Sequence, residues 1–194
     1  MGAALFQIIK SLGNPFKSII KLGLLERYIH DDKTNPFISN MIKKNIQEGK
    51  TDRLSVDAYC IMFDQVYNYY RLNTGDMTST NIIKTCFYLK VDPRLSSSKK
   101  KSGDGEFSEI MMKYARDWGW DNDTISHVDN FENWDIESTG KMMNNTKKVI
   151  LRGYKNILGA IGSEVDEGSI DRQSLLAINR KIYSHFKPED NKID

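Results

Sequence analysis

Between Asp117 and Glu137 the chain carries Asp121, Asp123, Asp129, Glu132 and Asp135 together with Trp118, Trp120 and Trp134, and no lysine or arginine. Carboxylates in such density suit a hard cation. Counted from Asp121, oxygen ligands fall at positions one, three, nine and twelve of a calcium loop (Asp121, Asp123, Asp129, Glu132), with Val128 at the apolar eighth position. The register is partial, because Ile125 offers no side-chain oxygen at position five and Ser126 stands where the sharp turn favours glycine. The same stretch also reads as a docking face, since tryptophan is enriched at binding hot spots and surrounding charge steers a partner. The complement lies just downstream. Lys141, Lys147, Lys148, Arg152 and Lys155 follow with no acid between Ser138 and Ser163, and of these Lys147, Lys148, Arg152 and Lys155 are the candidate contact residues. Opposite faces on one molecule permit head-to-tail contact between copies.

Other constellations are weaker. His30 and Asp31 are adjacent, as in the HD phosphohydrolases, and imply a metal-dependent hydrolase as a third reading; His30 is the first histidine, however, and only His127 and His185 follow. There is no Walker-type glycine loop, no Cys-x-x-Cys pair and no Gly-x-Ser-x-Gly elbow. No cofactor is expected. Cys60 and Cys86 sit within apolar helical patterns, as free buried thiols do in a reducing compartment.

Basic residues without acids also mark the first 25 positions. Lys10, Lys17 and Lys21 are interleaved there with Phe6, Ile9, Ile19 and Ile20. Such an amphipathic segment suits either an anionic membrane interface or an arm packed on a neighbouring subunit. Lys99, Lys100 and Lys101, among four serines, can touch phosphate only weakly, because no aromatic side chains are interleaved for stacking on bases. The net charge of +2 excludes a polycation. No apolar run reaches the length that crosses a bilayer, and Met1–Ile9 has neither a basic start nor a cleavage pattern, so neither secretion nor membrane spanning is expected.

The elements that must hold these residues are helical. With 39% apolar and 28% charged residues the composition is that of a folded domain. Asn14-Pro15 and Asn35-Pro36 each predict a helix start, with Asn as cap and Pro in the first turn; the second helix should run from Pro36 to Glu48, ended by Gly49. Leu54, Ala58, Ile61, Met62, Val66, Tyr69 and Tyr70 predict one helix over Asp52–Leu72. A helix capped by Thr78 or Ser79 should follow, then helices over Phe107–Trp118, Gly140–Ile161 and Ile170–Phe186, while Gly119–Trp134 fits short helical turns or a loop.

The fold expected is therefore all-α: one bundle-like domain of about seven or eight helices with an N-terminal helical arm over 1–30. The helical domain spans 31–186, with an exposed Ser/Lys loop at 95–106, and a charged tail covers 187–194. With no catalytic spacing in view, the leading expectation is a non-enzymatic structural protein, a repeated subunit of a bacteriophage or viral particle, whose partners are copies of itself or other subunits in the cytoplasm or virion. A membrane-surface or partner-binding regulator is the alternative.

Overall fold

A computed structural model of the chain describes residues 14–30, 36–97 and 105–162, with Arg180 and Ser184. Among them the fold is all-α, as expected, with eight α-helices and no strand. The expected Ile170–Phe186 helix lies outside the described residues apart from Arg180 and Ser184, and the 187–194 tail and Lys99–Lys101 lie outside them entirely.

Aspartate and asparagine set most helix starts. Helix α1 (Pro15–His30) begins where the Asn14 side chain accepts from the Lys17 amide at 3.1 Å. Helix α2 (Ile38–Gln47) starts later than its proline: Phe37 holds the cap position without a side-chain bond, and the Ile38 amide donates instead to the Tyr28 hydroxyl of α1 at 3.2 Å. Gly49, at φ +75°, closes it as expected.

The predicted Asp52–Leu72 helix is two. Asp52 caps α3 (Arg53–Val56), and Asp57 leaves helical geometry to cap α4 (Ala58–Asn73), accepting from the Tyr59 and Cys60 amides at 2.8 and 3.0 Å. Apolar periodicity cannot register that break, because it arises from a short carboxylate competing for backbone amides. Asp76, rather than Thr78 or Ser79, caps α5 (Met77–Val91). Helix α6 covers Gly105–Asp117; Asp121 caps α7 (Asn122–Asp129), and a 3₁₀ turn over Phe131–Asn133 follows. Asp135 accepts from the Ser138 amide at 2.8 Å, so α8 (Ile136–Gly162) begins one turn before the predicted Gly140.

Helix α1 is the hub. It packs against α8, α5 and α4, with Ile19, Ile20 and Leu22 buried. The described half of the expected arm is thus a core element: its apolar face is spent on the interior, which leaves Lys17 exposed and Lys21 half-buried at the rim. Phe6, Ile9 and Lys10 lie outside the described residues.

Two glycines permit the close crossing. A Cβ on Gly23 would stand 2.6 Å from Val66 Cγ1, and one on Gly153 would stand 2.8 Å from Glu26 Oε2 and 3.3 Å from Leu22. A second layer is aromatic: Phe63 of α4 stacks on Phe87 of α5 at 4.1 Å, and Tyr114 of α6 and Trp118 just after it meet both edge-on.

Gly153→Ala should cost about 2–3 kcal/mol in urea unfolding, since the new methyl must displace a buried, bonded carboxylate. Gly159→Ala, with nothing within 4 Å, should instead gain up to about 1 kcal/mol from helix propensity. Equal effects at both positions would contradict the crossing described.

Candidate functional site

Asp129 organises a corner where two clefts open beside charged groups. Helix α5 ends at Asp92, whose φ is +54°, and Arg94 follows at φ +47°. Two left-handed residues without glycine cost conformational energy unless their surroundings hold them. Here they are held. The Asp129 carboxylate accepts from the Tyr88 hydroxyl at 2.7 Å and from the Ser96 amide and hydroxyl at 2.7 and 2.6 Å. Arg94 donates to Asp92 at 2.9 Å and to Glu132 at 3.2 Å. Burial above all, then the bond to Asp129, pushes the Tyr88 phenol upward, so it stays a donor.

On one side of Arg94 lies a cleft of about 190 Å³ with Phe16, Leu89, Val128 and Phe131 as apolar walls and Asp129 and Glu132 at its edge. On the other lies a shallower depression of about 360 Å³ bordered by Ser96, Ser97, His127 and Asn130.

A second polar cluster lies where α1, α4, α5 and α8 meet, buried at Glu26, Tyr70 and Ser79 and half-buried at Asp76 and Arg152. Glu26, 1% exposed, accepts from the Tyr70 hydroxyl at 2.5 Å and from Asn156 Nδ2 at 2.6 Å. Arg152 lies over the Tyr70 ring at 5.5 Å and donates to Asp76 at 3.0 Å and to the Ser79 hydroxyl at 2.8 Å. The Ser79 hydroxyl first, with Arg152 behind it, holds the Asp76 carboxyl down at about 2. These contacts knit helices rather than expose reactive atoms.

The carboxylates read as a calcium set have separate duties. Asp121 caps α7, Asp129 ties down Ser96, Glu132 meets Arg94, and Asp123 lies exposed in the first turn of α7. Because residues 122–129 are helix, the twelve-residue loop register does not exist here. No group of three His, Cys, Asp or Glu among the described residues is placed to hold a metal. His30 is exposed at the end of α1, and His127 stacks on Trp134 at 4.4 Å.

The tryptophans turn inward. Trp118 packs on Tyr114 and Trp120, Trp120 meets Tyr88, and Trp134 donates to the His127 carbonyl at 2.7 Å. On α8, Lys148 and Lys155 are exposed, Lys147 is half-buried, and Arg152 faces Asp76. Sequence reasoning passed over Glu26, Asp64 and Arg94, and read Tyr70 only as part of an apolar helix face. For Glu26 a signal was present: it interrupts an apolar stripe, between Leu25 and Arg27.

These features define a helical domain whose buried and cap-forming polar residues are bonded to one another. The chain matches, over residues 1–194, the family described as "Adenylate cyclase, class-I, second domain", and it belongs to that family. It is 30% identical over 192 residues to the adenylate cyclase of Yersinia intermedia, 28% over 193 to that of Proteus mirabilis and 27% over 192 to that of Escherichia coli K12. Each alignment covers 99% of this chain but 22% of the relative, so the chain spans about a fifth of the length of the curated relatives it matches. No solved structure matches it. This membership overturns the expectation of a non-enzymatic phage or viral structural subunit, and with it the virion: the relatives are enzymes, and the absence of catalytic spacing in a fifth of such a protein carries no weight against that. No helix among the described residues is long and apolar enough to cross a membrane.

One buried acid gives a pH signature. Burial raises the Asp64 carboxyl to about 6, although the Tyr114 hydroxyl donates to it at 2.9 Å. The folded state therefore holds that proton more tightly than the unfolded chain, whose aspartate titrates near about 4. Its stabilising contribution is complete below pH ~4 and is lost as pH rises through ~6. Asp64→Asn, whose amide oxygen still accepts from Tyr114, should raise stability at pH 7.5 by about 1–2 kcal/mol and change it little at pH 3.5. Denaturation at the two pH values checks this; a loss at pH 7.5 would contradict it.

Proposed function

We propose that this chain works as a helical domain of an adenylate cyclase, an enzyme that closes ATP to cyclic AMP. In that reaction the ribose 3′ oxygen forms a bond to the α-phosphorus, the bond to the β-phosphate oxygen breaks, pyrophosphate leaves, and the 3′ hydroxyl proton passes to a base. The observation that carries the reading is the family match along residues 1–194. Within such an enzyme the best-placed described guanidiniums are already tied to carboxylates, Arg94 to Asp92 and Glu132 and Arg152 to Asp76. A triphosphate there would have to compete with three carboxylates already beside these guanidiniums, which leaves little net positive charge to attract it. We therefore assign phosphate handling and cyclisation to the four-fifths of the relatives' length outside this segment. The role of this domain is to hold those parts in register. We place the protein in the cytoplasm, where the buried free thiols of Cys60 and Cys86 persist.

The test is cyclic AMP formation from ATP by the purified protein that carries this chain, followed by chromatography of cyclic AMP and pyrophosphate. Formation is expected; a folded, ATP-inert protein overturns the proposal. In the same assay Arg94→Ala should leave KM for ATP within about threefold, whereas a rise beyond about tenfold would move nucleotide binding into the cleft beside Arg94.

A further inference from the structure

The end of the bundle where α4 turns into α5 carries an uncovered apolar tip. Leu72 and Met77 flank the Asn73–Asp76 turn and are 73% and 77% exposed. A single exposed apolar side chain is ordinary, but two on one tight turn within a basic rim are less so. Arg71 is exposed beside Leu72. Arg152 reaches the same turn through Asp76, and Lys148 and Lys155 lie one helical turn to either side of Arg152 on α8, on the same face. Arg71, Lys148 and Lys155 make no ion pair among the described residues. The acids at this end, Glu26 and Asp76, are engaged internally. The result is an apolar tip with Arg71 beside it and with Lys148 and Lys155 on the helix that Arg152 ties to it, none of the three ion-paired among the described residues.

We propose that this tip docks the remainder of the cyclase, through a surface of apolar side chains rimmed by carboxylates; the proposal rests on the reading of the chain as one domain of an adenylate cyclase. Three considerations select that occupant. The relatives carry about four-fifths of their length beyond the matched segment, so a large body of chain must meet this domain somewhere. Charge complementarity asks for an acidic rim around an apolar centre, the arrangement of a polar-rimmed interface. A second copy fits poorly, because a twofold contact would set Arg71, Lys148 and Lys155 against themselves.

The experiment is oxidation of Met77 by dilute peroxide in the intact protein, followed by peptide mass spectrometry and expressed relative to the same residue in the urea-unfolded protein. Buried Met111 marks full protection. Met77 should be protected at least about tenfold, and Leu72→Glu should abolish that protection without changing the circular dichroism or the melting temperature. Oxidation of Met77 within about twofold of the unfolded rate overturns the proposal. So does protection that disappears on dilution, which would assign the tip to a second copy. Cyclic AMP formation is measured on the same sample. An active cyclase with unprotected Met77 sinks the docking face alone, whereas an inactive folded protein sinks the functional reading and the docking face with it.

Discussion

The close crossing of α1 with α4 and α8 is the constraint on which the rest of the structure depends. Gly23 and Gly153 remove side chains where the helices touch, and the space at Gly153 is taken by the Glu26 carboxylate. A buried acid is costly unless its oxygens are satisfied, and here Tyr70 and Asn156 satisfy them. Tyr70 in turn lies under Arg152, which reaches Asp76 and Ser79. One inward-facing carboxylate on α1 is thereby coupled to the caps and contacts of three other helices. A further pairing, Cys86 with Thr146 at 3.8 Å, runs in the opposite sense along α5 and α8 from Asp76 with Arg152, so these two helices are antiparallel.

Local chemistry then fills in what the crossing leaves. Asp52, Asp57, Asp76, Asp121 and Asp135 each bind amides at the start of a helix. Two of these belong to the acidic stretch that invites a metal reading, and a third residue of that stretch, Asp129, anchors Ser96. Negative charge near helix N-termini also opposes the helix dipole favourably. Much of the acidity is therefore architectural. It holds α7 and α8 in place while Trp134 packs the joint between them, and Trp118 and Trp120 pack on Tyr114 and Tyr88.

The proposed role as one domain of an adenylate cyclase accords with such a structure. The buried Glu26 network and the Asp76–Arg152 pair tie four helices into a body that keeps its shape. A rigid body can set distances between other parts of an enzyme, and positional errors of an ångström are costly to catalysis. The left-handed Asp92–Arg94 corner and the apolar tip at Leu72 and Met77 are two places, among the described residues, where that body is open to other groups.

The sequence by itself determined the helical class, the starts at Asn14-Pro15, the stop at Gly49, the apolar faces of α4 and α5, and the burial of Cys60 and Cys86, because each follows from short-range sterics or from periodicity. It did not determine the break at Asp57, since whether a mid-helix aspartate caps or stays helical depends on what the flanking turns pack against. Nor did it reveal α1 as the hub: an amphipathic helix looks the same whether its apolar face meets lipid, a neighbour or its own core. The pairings of Glu26 with Tyr70 and Asn156, of Asp64 with Tyr114 and of Arg94 with Glu132 join residues 44, 130, 50 and 38 positions apart. Only the tertiary structure decided those, because the energy of a buried polar group is set by partners that chain order does not place beside it.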